Sequence, residues 1–213
     1  MILGISTPSR KKRFLIGDRI ARLPSGKYKI KTELSKDLAF EVTLGFCLSS
    51  YRFQQFRKNK ENCNVVLCLP ENADEKKITT FSQAEFLVRN LVNMPASHLG
   101  PDSLENIIRS FAKEKGVSFK TIIGDDLLTK NFPMIHAVGK AGAEPPRLVE
   151  LNWGSPDHYK VTLVGKGVCF DTGGLNIKPS TSMGAMKKDM GGAASVLGLT
   201  EYIVKLKLKI SLT

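Results

Sequence analysis

The sequence predicts an α/β protein: a small N-terminal α/β region followed by a larger domain on a mainly parallel sheet with helices on both faces. Three observations carry this expectation. Along the second half of the chain, segments of helical apolar periodicity alternate with short β-branched runs, the pattern of layered α/β folds. The run VTLV at 161–164 is apolar without alternation, as in a strand covered on both faces. A polar stretch, ENADEKK at 71–77, separates two regions and places the boundary between residues 1–76 and 77–213.

The elements follow in order. Residues 27–33 alternate well enough for a short strand, and 39–57 predict a helix with Phe40, Leu44, Cys47, Leu48, Tyr51 and Phe53 near one side. CNVVLCLP at 63–70 reads as a buried strand ended by its proline. Ser82 followed by Glu85 has the capping-box pattern and opens a helix through FLVRNLV, which Pro95 stops. Asp102 and Glu105 repeat that pattern. Leu104, Ile107, Ile108, Phe111 and Ala112 then mark one helical face, and Gly116 ends the helix. Strands are expected at 117–123, 147–153 and 159–165. A helix follows from Gly191, and LKISLT reads as the opening of another strand. The chain stops inside this alternation, so the sheet domain is expected to be incomplete.

Composition narrows the class. Hydrophobic residues at 42% and charged residues at 24% describe a globular chain rather than a disordered one. No apolar run approaches the roughly 18–20 residues of a membrane span. The N-terminus places basic residues after a short apolar stretch, the reverse of a secretory signal. Cys47, Cys63, Cys68 and Cys169 lack disulfide or metal-ligand spacing, which fits a reducing cytoplasm. Of the net charge of +12, residues 1–60 hold most, with 14 Lys and Arg against 4 Asp and Glu. A nucleic-acid surface would use such charge. No recognition helix, zinc finger or stacking aromatics accompany it, so a solvated face is the preferred reading.

Chemistry concentrates between Val164 and Ala194, VGKGVCFDTGGLNIKPSTSMGAMKKDMGGAA. Lys166, Asp171, Lys178 and Asp189 sit among glycines directly after a predicted strand, where α/β sheets bind ligands. The segment lacks G-x-x-x-x-G-K-[ST], so it is no P-loop. It also carries Phe170 where a dinucleotide fingerprint needs its third glycine. Two aspartates and a lysine suit a hard divalent cation. From the residues alone, a structural ion-pair network stands equally open. His98, His136 and His158 have no partner at metal spacing. Lys187 and Lys188 read as a solvated or ion-paired face, and Trp153 reads as core.

The strings VGKGVCFDTGG, NIKPS and MKKDMGGAA, in that order and spacing, closely resemble the M17 leucyl aminopeptidase (cytosol aminopeptidase) family. NLVNMPASHLGPDSL and GDDLL…FPMIHAVGKA…PPRLVELNW resemble its upstream segments, so the likeness covers about residues 80–213. It implies a catalytic domain holding two divalent metal ions, Mn2+ or Zn2+. Asp171 would bridge them, and Lys166 and Asp189 would ligate one. Lys178 would be the catalytic lysine that polarises the peptide carbonyl. Met186 either lines the pocket for the first side chain or is plain core packing, the two readings standing equally open. The implied activity is metal-dependent removal of N-terminal residues, leucine above all, from peptides with a free N-terminus. The implied setting is cytoplasmic, in a homo-hexamer.

The family completes its metal site with a later motif, N-T-D-A-E-G-R, which this sequence lacks. Three donors for two ions fall short of four to six ligands each. The expectation is therefore an incomplete portion of the enzyme, inactive alone. The alternative is a non-catalytic relative that binds nucleic acid or a partner subunit.

Overall fold

The computed structural model of the chain describes residues 14–58 and 64–213. The leader reading at residues 1–13 and the reading of Cys63 lie outside them. The chain divides into two units, Met1–Phe86 and Leu87–Thr213.

The first unit contains α1 (Leu15–Ala21), β1 (Gly26–Tyr28), α2 (Lys36–Ser50), β2 (Val65–Leu67) and most of α3 (Glu75–Asn93). Helix α2 starts where Ser35, in extended backbone, accepts a hydrogen bond from Leu38 N through Oγ at 3.4 Å. It ends at Ser50, not at 57 as its apolar spacing suggests. Arg52 turns back and donates to the carbonyls of Ser49 and Tyr51 at 2.9 and 2.8 Å, satisfying acceptors at the helix end. Phe53 then packs on Phe56 instead of on the helix face. Strands β1 and β2 pair in parallel, with Gly26 opposite Val65, and both are shorter than the runs that announce them. Ile16, Ile20, Val42 and Val65 form the core here.

Helix α3 starts seven residues before the Ser82 pattern. Asp74 Oδ1 accepts from Lys77 N at 2.9 Å and caps the helix. Ser82 is consequently buried in mid-helix. Residues 75–77, read as junction, form the first turn because their polar side chains suit its exposed side.

In the second unit, α4 (Pro101–Lys115) begins with proline at its first position and ends at Gly116, whose φ of 66° is left-handed. Leu104, Ile108, Phe111 and Ala112 are buried as their spacing predicts. The capping box expected at Asp102 and Glu105 does not form. Asp102 N instead donates to Glu144 Oε2 at 2.7 Å. Glu105 is buried against Arg147, at 2.5 Å, and against Arg109. Arg147 also pairs with Asp102.

Strand β3 (Ser118–Ile123) is followed by α5 (Asp126–Thr129), α6 (Pro133–Gly139) and β4 (Arg147–Asn152). β3 and β4 pair antiparallel, from Ser118 opposite Asn152 to Ile123 opposite Arg147. Strand β5 (Tyr159–Val161) pairs in parallel with β6 (Ile210–Leu212) across a connection holding α7 (Ser180–Met183), a 3-10 turn (Met186–Lys188) and α8 (Gly191–Leu206). Trp153 joins β4 to β6 through a bridge with Leu212. The parallel pairs are thus the two short ones, and the longest pair is antiparallel. The burial expected of VTLV is not reached: β5 ends at Val161, and Val164 beyond it is 91% exposed. Leu91, Leu99, Leu104, Ile108, Phe111, Met190, Ala194 and Leu197 form the core, drawn mainly from α3, α4 and α8.

Candidate active site

The four charged residues singled out above all fall in the connection between β5 and α8. A parallel strand pair needs a crossover, and this one gathers its charged groups in loops between the C-terminal end of β5 and the start of α8. Lys166 lies in the extended segment after β5, and its carbonyl accepts from Ala193 N at 2.8 Å. That approach needs glycine on both sides. A Cβ on Gly165 would lie 2.7 Å from Gly192 O, and one on Gly192 would lie 2.6 Å from Lys166 N. Asp189 follows the 3-10 turn, and the next residue, Met190, is fully buried. The core therefore fixes Asp189 at the start of α8.

Between them runs the loop from Asp171 to Lys178. Gly173 and Gly174 adopt φ of 92° and 66°, conformations that side chains with a Cβ resist. The turn brings Lys178 N to Thr172 O at 2.9 Å and Gly173 N to Asp171 Oδ1 at 2.9 Å. Sequence reasoning passed over Thr172 and Ala193. The adjacent small residues GGAA were the visible signal for the second.

The side chains resolve into two ion pairs. Lys166 Nζ lies 2.9 and 2.8 Å from the two carboxylate oxygens of Asp189. Lys178 Nζ lies 2.5 Å from Asp171 Oδ2. The hydrogen bond from Lys178 and that from Gly173 N hold the Asp171 carboxyl below the usual carboxylate range. The hydrogen bond to Asp189 raises the Lys166 ammonium above its ordinary value, with a smaller attraction from Asp171. Lys166 thus feels both acids.

The other residues weighed in the sequence have plainer roles. Lys187 tethers the segment by donating to Asn93 O at 3.3 Å. His136 meets Asp125 at 3.1 Å, His98 meets Ser97 Oγ at 3.0 Å, and His158 is exposed. Met186 is half-buried at the start of the 3-10 turn. Among the described residues no group of three or more His, Cys, Asp or Glu gathers as a metal cluster.

As a donor set the four residues suit a divalent cation in kind. They offer carboxylate oxygens and a primary amine, and the carboxylates already hold cationic nitrogens at 2.5–2.9 Å. Lys166 could ligate only after losing its proton. Fold and site together define an α/β protein whose β5–α8 crossover carries two lysine–aspartate pairs.

Comparison with known proteins agrees with that class. Residues 86–213 match the model of the cytosol aminopeptidase family, catalytic domain. A probable cytosol aminopeptidase of Aquifex aeolicus is 36% identical over 183 residues, covering 82% of this chain and 37% of that protein. The crystal structure of the cytosol aminopeptidase from Coxiella burnetii superposes with a TM-score of 0.85 at 40% identity, over 94% of this chain and 44% of that one. The bottromycin maturation enzyme BotP, in complex with Mn, gives 0.81 at 32% identity, over 94% and 45%. The chain belongs to the cytosol aminopeptidase (M17) family. It spans less than half the length of these relatives.

Proposed function

We propose that the chain carries part of the active site of a metal-dependent aminopeptidase, one that removes N-terminal residues, leucine-type first, from peptides with a free N-terminus. The observation that carries this reading is the convergence of Lys166, Asp171, Lys178 and Asp189 on one crossover, within a chain of this family. Lys166, Asp171 and Asp189 would hold divalent ions, Mn2+ or Zn2+. The Mn complex of BotP supports a metal in a similar fold. Bound there, such ions supply a Lewis acid and a water made nucleophilic near neutral pH. Lys178 supplies a charged donor, which an oxyanion needs if it is to be stabilised.

Three donors do not complete two coordination spheres. The missing ligands have to come from residues outside these 213, and the chain by itself is expected not to turn over. Cytoplasmic placement and self-association belong to the same proposal. Among the described residues no helix is long and apolar enough to cross a membrane.

The test is release of leucine from a leucyl substrate by the full-length protein with added Mn2+ or Zn2+. Replacing Asp171 with Ala should abolish both metal binding and turnover. Undiminished turnover in that variant would sink the assignment. Salt-sensitive binding to polyanions with no turnover would favour the non-catalytic alternative.

A further inference from the structure

Both oxygens of Asp171 are engaged. Oδ1 accepts from Gly173 N, and Oδ2 faces the Lys178 ammonium at 2.5 Å. The loop itself enforces this pairing. Lys178 N is bonded to Thr172 O, and Lys178 Nζ also reaches the Asp171 carbonyl at 3.3 Å. The lysine is thus returned to its acid by the backbone rather than by a wandering side chain. Asp189 differs, because its partner Lys166 is itself a candidate donor and, once it gives up its proton, can join the same ion. At Asp171 an arriving dication meets a positive charge in the place it needs, and like charges a few ångströms apart repel.

We propose that Lys178 is a built-in counter-ion of Asp171 that a divalent cation must displace, so that loading the cation and freeing the Lys178 ammonium are one event. This rests on the metal reading of the preceding section and adds a control to it. Lys178 is withheld from any substrate oxygen until the cation has taken Asp171. The coupling is reciprocal: whatever removes the lysine from Asp171 tightens cation binding by the same factor.

Mn2+ binding, read from loss of the free-ion electron paramagnetic resonance signal, tests this on the same full-length protein as the leucine-release assay and without reference to activity. Four proteins are compared after circular dichroism shows each to be folded: wild type, Lys178→Met, Lys188→Met and Asp171→Asn. Lys178→Met should bind Mn2+ roughly two- to fivefold tighter, the range set by a partly exposed ion pair. Lys188→Met removes an equal charge beside Asp189 and should bind as wild type does. Asp171→Asn should bind much more weakly.

Unchanged or weaker binding by Lys178→Met, with Asp171→Asn still impaired, overturns the counter-ion role and leaves the metal reading standing. Equal tightening in Lys188→Met also overturns it, since a general charge effect would then explain the gain. If none of the four folded proteins binds Mn2+, the metal reading fails and the counter-ion role fails with it.

Discussion

Arg147 is 8% exposed and meets Glu105, itself 5% exposed, at 2.5 Å, while also pairing with Asp102. Such a pair adds little over an apolar one, yet breaking it strands a buried charge. Arg147→Ala should therefore cost ~3–5 kcal/mol in a urea titration. The double replacement Arg147→Met with Glu105→Leu should recover most of that loss. A single-variant cost under about 1 kcal/mol would mean that Glu105 finds water or Arg109 instead. Nothing in the local sequence announces this pair, because its members lie 42 residues apart. The site residues contrast with it. Lys166, Asp171, Lys178 and Asp189 all fall within 24 residues, and their order was enough to single them out. Their pairing was not legible, since lysines and acids at those spacings could combine in more than one way.

Helix boundaries show the same division at the next scale. The start of α3 depends on Asp74, whose carboxylate accepts from Lys77 N at 2.9 Å. Asp74→Ala should lower stability by ~1 kcal/mol, the usual value of an N-cap. Ser82→Ala should show no such capping loss, because Ser82 lies seven residues inside the helix. Thermal denaturation of both variants checks the pair, and the reverse order would restore the boundary that the sequence suggests. The Ser82 pattern misled because a serine three residues before a glutamate is equally at home in mid-helix. By contrast, the apolar face of α4 and its Gly116 terminus were legible residue by residue. Their signals, a repeat and a left-handed glycine, need no distant partner.

For the molecule as a whole, a cation that binds the folded site and not the unfolded chain must raise stability by mass action. At a hundredfold excess of Mn2+ over its Kd, the melting temperature of the second unit should rise by roughly 5–10 °C. Asp171→Asn should abolish the rise. A rise that persists undiminished in that variant would place the cation elsewhere in the protein. The measurement needs no substrate, so it reads cation binding apart from turnover.

By itself the sequence determined the α/β class and the family, and it singled out the four charged residues that fall between β5 and α8. Each of these is written in local periodicity or in motifs a few residues long. Tertiary structure alone decided that β3 and β4 run antiparallel, that Glu144 and not a capping box closes the start of α4, and that Lys178 pairs with Asp171 and Lys166 with Asp189. Those outcomes depend on which distant group arrives first at an unsatisfied hydrogen-bonding group or an unpaired charge. That competition is settled by packing, where a difference of about 1 kcal/mol chooses the partner.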